Sequence, residues 1–283
     1  MSGGGVETGG RVHAGPLGTG SPTAPGSVRV RALSFTPVKG TRLRSAEAFE
    51  LGRDGVASDR RYYVVDERGR MLNAKVLGEL QAVLSELTGA GALRLTFPDG
   101  RVVEAEPRDG ASIRTRFYSQ SREHRLVEGP WSDALSQYLE RPVRLVHATT
   151  PGRAVDRGAR GAVSLISRAS LETLAAEAEL DSLDARRFRM LVEVDGLEAN
   201  EEDAWVGRRV RVGAALVRFH GHVGRCLITS RDPESGVIDV PTLDVLAGYR
   251  GNLETTEPLA FGVYGEVIEP GSVRLGDGVT VEG

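Results

Sequence analysis

Cys226 is the only cysteine in the chain. It lies in the stretch His220-Gly221-His222-Val223-Gly224-Arg225-Cys226-Leu227-Ile228-Thr229. A glycine-rich approach lets backbone come close to a ligand. A neighbouring cation favours the thiolate, the form that attacks electrophiles and binds metals. As a soft donor, that thiolate suits zinc, copper or a high-valent metal with sulfur ligands. The plainer alternative is a buried cysteine packed as a small hydrophobe. His220 and His222 share parity with Cys226, so in an extended strand the three side chains face one way. That spacing permits a His–His–Cys zinc site. The competing reading makes the histidines ordinary polar residues near a barrel mouth.

Three cations form a second candidate set. Lys39 lies in Pro37-Val38-Lys39-Gly40, Arg60 in Gly55-Val56-Ala57-Ser58-Asp59-Arg60, and Arg189 in Arg186-Arg187-Phe188-Arg189. Each alone reads as a solvated surface charge. Together they could clamp an anionic group, because Arg offers a planar fork to phosphate and Lys a point charge. The commoner phosphate and hydrolase signatures are missing: there is no Walker-type loop, no strand–GxGxxG–helix, no Gly-x-Ser-x-Gly and no His-Glu-x-x-His.

The elements that must position these residues are mostly short strands. Period-two alternation marks Val28–Phe35, Arg61–Asp66, Leu93–Phe97, Arg101–Glu106, Val143–His147, Met190–Asp195, Arg208–Val212, Ala215–His220, Cys226–Thr229, Gly262–Glu269 and Val279–Glu282. Turn residues punctuate them at Asp66–Gly69, Pro98–Gly100, Asp232–Gly236 and Gly276–Gly278. This spacing favours a barrel or sandwich over βαβ repeats. Helical spacing appears at Leu77, Leu80, Leu84 and Leu87, at Trp131, Leu135, Tyr138 and Leu139, and at Leu171, Leu174, Ala175 and Ala178, the last with Ser167 as its N-cap. Such short helices would cover barrel openings or a sheet face. The fold class expected is therefore mainly β, α+β by content.

Composition narrows the class. The chain has 283 residues, 36 Lys+Arg against 39 Asp+Glu, and a formal net charge of −3. That balance argues against a nucleic-acid partner. One cysteine excludes a disulfide scaffold and an iron–sulfur cluster. No apolar run reaches the roughly 20 residues needed to span a membrane. Residues 1–27 are rich in Gly, Pro, Ser and Thr and read as a disordered tail. They lack the layout of a secretory signal, so a cytoplasmic location is the default expectation.

Four segments together resemble the MOSC-domain family, named for the C-terminal domain of molybdenum cofactor sulfurase, and its N-terminal β-barrel domain. They are Pro37-Val38-Lys39; Gly55 to Arg60 running into Tyr62–Asp66; Arg187-Phe188-Arg189 followed by Asp195-Gly196 and Glu202–Gly207; and Arg225-Cys226 followed by Thr229, Asp232–Gly236 and Leu246–Arg250. The closing Phe261–Tyr264 and Pro270–Asp277 also fit. The resemblance implies a MOSC-type barrel over 146–283 and a barrel-like domain over 28–145. It also implies kinship with the mitochondrial amidoxime-reducing component. In such relatives the cysteine matching Cys226 is the protein ligand to molybdenum in a molybdenum–pterin cofactor. Basic residues matching Lys39, Arg60 and Arg189 contact the pterin or its phosphate. Asn73, Lys75 and Arg225 are further candidate contacts. Pyridoxal phosphate binding attaches to these proteins only as a family-level association.

The implied activity is reduction of small N-hydroxylated or N-oxygenated compounds, with electrons from a separate donor protein. A non-catalytic cofactor or sulfur carrier using Cys226 is the alternative. Several positions depart from the resemblance. Gly40 stands where many relatives have Ser, Asn73-Ala74-Lys75 replaces a Thr-x-Arg pair, and Met190-Leu191 replaces Pro-Asn. Asp156–Gly161 lacks the acidic element that reductase relatives carry.

Overall fold

The structure, a computed structural model, describes residues 27–117, 120–149 and 158–283. Apart from Ser27, the tail expected over 1–27 lies outside these residues, as does Asp156. In chain order the first elements are β1 (Arg29–Phe35), β2 (Arg44–Ala46), β3 (Ala48–Gly52), β4 (Gly55–Val56), β5 (Tyr62–Val65) and β6 (Met71–Leu72). Next come β7 (Leu84–Leu87), β8 (Leu93–Thr96), β9 (Val102–Ala105), β10 (Arg108–Phe117), β11 (Gln120–Glu128), α1 (Trp131–Tyr138) and β12 (Arg144–His147). The remainder is β13 (Val163–Ser167), α2 (Arg168–Glu177), β14 (Val192–Asp195), β15 (Arg209–Val212), β16 (Ala215–Gly224), α3 (Thr242–Arg250), β17 (Ala260–Glu269), β18 (Gly271–Arg274) and β19 (Val279–Glu282). The fold is strand-rich, with short helices laid over its sheets, as the alternation implies.

The largest sheet runs β19-β15-β16-β17-β13-β14-β1-β2. Its pairings are antiparallel except β13 with β14, which α2 links as a crossover. A second sheet runs β10-β11-β12-β5-β6, and two three-stranded sheets run β7-β8-β9 and β18-β3-β4. Val30, Leu165, Val194, Val217, Phe219 and Val263 share one core. Tyr62, Leu80, Leu95, Trp131 and Leu145 share another. Phe188, Met190, Leu246 and Phe261 pack with the apolar face of α2 in a third. Burying such side chains is the main favourable contribution to folding.

Two expectations need correction. The leucines 77, 80, 84 and 87 do not share a helix: a 3-10 turn covers Gly78–Ala82, and the chain then extends into β7, which pairs with β8. The second concerns Cys226–Thr229, which is not a strand. Cys226 is extended and caps a 3-10 turn over Leu227–Ser230, with the Cys226 carbonyl accepting from Thr229 N at 3.0 Å. The expected helix near Trp131 is present as α1, whose indole N–H reaches the Leu93 carbonyl at 2.9 Å.

Ser167 does cap α2. Its hydroxyl accepts from Ser170 N at 3.1 Å and lies 2.7 Å from Ser170 Oγ. Ser167→Ala should lower the unfolding free energy by about 1–2 kcal/mol, the usual scale for a lost N-cap. Urea unfolding checks this, and an unshifted midpoint would contradict the capping role.

Candidate functional site

One cavity of about 180 Å³ brings the sequence-derived candidates together. Lys39, Arg60, Asn73, Lys75, Arg189, Arg225 and Cys226 all line it. Val223, Met190, Ile228 and Tyr264 add an apolar wall. Five of the lining side chains are cationic, and no carboxylate is among the described lining residues.

Lys39 is placed by a loop that the folded chain holds at several points. The hydroxyls of Thr36, Thr41 and Ser85 form a buried triangle with separations of 2.7, 3.0 and 2.7 Å. Lys39 N donates to the Tyr62 carbonyl at 2.8 Å, and Tyr62 N to the Pro37 carbonyl at 2.9 Å. The loop is thereby laced to Tyr62 at the start of β5, two residues after Arg60. The residue is only 9% exposed, unlike a solvated surface charge. Gly40 sits at φ +97°, a conformation that serine adopts only with strain. A Cβ there would also lie 3.2 Å from Leu80 Cδ1, which accounts for glycine at this departure.

Asp59 orients Arg60, a role the sequence reading left unassigned. Its Oδ1 accepts from Thr36 N at 3.0 Å, while Oδ2 pairs with Arg60 Nη1. Arg60 Nη2 then donates to the Arg189 carbonyl at 2.9 Å, and Arg189 Nη2 to the Thr41 carbonyl at 2.7 Å. Both arginines have positive φ, 46° and 55°. Non-glycine residues held in this region commonly mark functional sites. Arg189 as a residue keeps some solvent contact, but its guanidinium is packed among protein atoms. Burial, then the like charge of Arg60, pushes Arg189 well below the ordinary arginine range, with Asp59 opposing. Such a guanidinium remains protonated at neutral pH. The cluster therefore favours an anion that offsets both desolvation and repulsion.

Around the cavity the other candidates differ in their commitments. Asn73 Oδ1 accepts from Lys75 N at 3.0 Å, which shapes the turn that presents Lys75 to solvent. Arg225 has donors on the carbonyls of Phe188 and Phe261. Cys226 is partly exposed and outside any disulfide. Ser164 and Thr229 also line the site, although sequence reasoning did not place them there.

The histidines do not join Cys226. Register irregularities in β16 between Phe219 and Gly221 and between His222 and Gly224 break their parity. His220 Nε2 lies 3.0 Å from Glu266, and His222 Nε2 lies 3.8 Å from Asp203. Among the described residues no group of three His, Cys, Asp or Glu could hold a metal, so the zinc reading has no geometric support. Among the described residues, too, no helix is long and apolar enough to cross a membrane.

Comparison with known proteins gives two family matches. The MOSC N-terminal beta barrel domain matches residues 27–142, and the MOSC domain matches residues 152–280. The curated protein "Mitochondrial amidoxime-reducing component 1" of Xenopus laevis is 28% identical over 282 residues, covering 88% of this chain and 81% of that protein. Its namesake in Homo sapiens is 27% identical over 285 residues, covering 90% and 83%. The solved YuaD protein from Bacillus subtilis shares 11% identity, with a TM-score of 0.44 over 90% of this chain and 95% of that one.

The cluster itself predicts anion binding. Inorganic phosphate should raise the thermal midpoint of the wild-type chain above that in chloride at equal ionic strength. Arg189→Met should weaken the apparent affinity by on the order of tenfold, the scale of one charge-assisted hydrogen bond. An equal phosphate shift in both proteins would contradict the assignment.

Proposed function

The chain belongs to the MOSC-domain proteins that carry the MOSC N-terminal barrel, and from that premise we propose that it is a molybdenum-cofactor-dependent reductase of small N-hydroxylated compounds. The observation that carries this reading is the convergence of Cys226 with Lys39, Arg60 and Arg189 on one cavity. The donor set fits the cofactor on chemical grounds. A phosphate-bearing pterin needs placed cations, and a molybdenum ion with sulfur ligands accepts one more thiolate. The relatives named amidoxime-reducing components support the reaction class.

In this proposal Lys39, Arg60 and Arg189 would hold the pterin or its phosphate, and Asn73 and Lys75 would add further polar contacts from the same cavity lining. Cys226 supplies the single protein thiolate. The bound cofactor supplies the two-electron chemistry that removes oxygen from nitrogen. The balance is R–NHOH plus two electrons and two protons, giving R–NH2 and water. A separate electron-donor protein delivers the electrons, because the chain has no flavin, haem or iron–sulfur motif. Val223, Met190 and Tyr264 form an apolar wall against which the body of a small substrate would pack, excluding water from the reacting end.

Expression in a host that makes molybdenum cofactor tests the reading. Molybdenum and pterin should co-purify stoichiometrically with the wild-type chain and at reduced yield with Cys226→Ala, which keeps the cations and loses the thiolate. The loaded protein should reduce a hydroxylated amidine with a chemical electron donor. Metal binding without turnover would favour the cofactor or sulfur carrier, and zinc without pterin would contradict both.

A further inference from the structure

Arg225 precedes the thiol, yet its guanidinium is directed elsewhere. Nε donates to the Phe261 carbonyl at 2.8 Å, and Nη2 reaches the same oxygen. Nη1 donates to the Phe188 carbonyl at 2.8 Å, and Nη2 lies 3.1 Å from Met190 Sδ. The guanidinium carbon stands 5.3 Å from the centre of the Phe188 ring, which itself packs 4.9 Å from the Phe261 ring. Arg225 N is held as well, donating to the Leu259 carbonyl at 3.2 Å.

The receiving groups come from two segments. Phe188 and Met190 flank Arg189, whereas Phe261 lies on β17. Gly262 makes the arrangement possible. It adopts φ +77°, and a Cβ there would lie 2.8 Å from Met190 Cε, 2.8 Å from the Leu165 carbonyl and 3.4 Å from Arg225 Nη2.

We infer that Arg225 is a positioning residue, whose fork ties the loop carrying Cys226 to the segment carrying Arg189 and so fixes the thiol relative to the cationic cluster. A planar fork can satisfy carbonyls on two segments at once, whereas a lysine ammonium acts as a single point charge. This role differs from direct contact with a cofactor and from stabilising the thiolate through charge. Its importance for turnover rests on the proposed function, but the tie belongs to the polypeptide and can be measured without cofactor.

The single cysteine makes the test specific. The full chain, made in a host lacking molybdenum cofactor, is alkylated with iodoacetamide at fixed pH as wild type, Arg225→Lys and Arg225→Gln. Releasing the tie should speed alkylation roughly tenfold in both variants, the scale of one lost charged hydrogen bond. Backbone hydrogen exchange should rise together at 226–230 and 186–191 and stay unchanged in the β10–β11 hairpin. A wild-type alkylation rate in Arg225→Lys would overturn the inference, because charge alone would then suffice. So would slower alkylation in Arg225→Gln, or exchange that rises throughout the chain. If Arg225→Gln does not fold, Arg225→Lys decides alone. Neither result depends on whether the chain is a reductase, so failure of that reading shows separately, as absent turnover by the loaded wild type.

Discussion

The hydrogen bond from Arg60 Nη2 to the Arg189 carbonyl brings two like charges from sequence positions 129 residues apart into one cavity wall. Neither arginine would choose this neighbour in isolation. Repulsion and desolvation both oppose it, and each backbone is held at positive φ. The surrounding structure must over-determine the geometry for it to persist. Asp59 contributes by binding Thr36 N with one oxygen and Arg60 with the other. The triangle of Thr36, Thr41 and Ser85 then fixes the loop whose Thr41 carbonyl receives Arg189.

The sheets explain how distant segments can meet there. β1 pairs with β14, so the strand before the Lys39 loop and the strand after Arg189 run side by side. β5 begins two residues after Arg60 and is hydrogen-bonded to the Lys39 loop. β17 pairs with β16, which leads into Arg225 and Cys226. Lys39, Arg60, Arg189 and Cys226 thus each sit next to a strand held in a hydrogen-bonded ladder. Loops on a rigid scaffold are common carriers of binding function, and the ladders limit how far these can drift.

Much of this was legible in sequence, for definite reasons. Half-buried strands such as β8, β15 and β19 betray themselves by alternation, and Ser167 by its place before a helical run. The leucines at 77, 80, 84 and 87 misled because a short apolar spacing does not reveal a partner strand. Pairing with β8 overrides it, and Leu84 and Leu87 end only partly buried. The long β10–β11 hairpin escaped notice because polar residues, Thr115 and His124, occupy buried positions on it. α3 was hidden inside a stretch read only for its motif. At the site, the types of Lys39, Arg60, Arg189 and Cys226 were readable, but their convergence depends on long-range pairing. Asp59 was visible as a neighbour of Arg60, without any sign that it would bind both Arg60 and Thr36.

The central claim is that the cationic cluster and Cys226 serve one anionic, sulfur-bearing metal group. X-ray absorption at the molybdenum edge of the cofactor-loaded protein tests it most directly. The account predicts a sulfur shell around molybdenum that loses one member in Cys226→Ser, with the metal still retained by the cations. An identical sulfur shell in wild type and Cys226→Ser would contradict it.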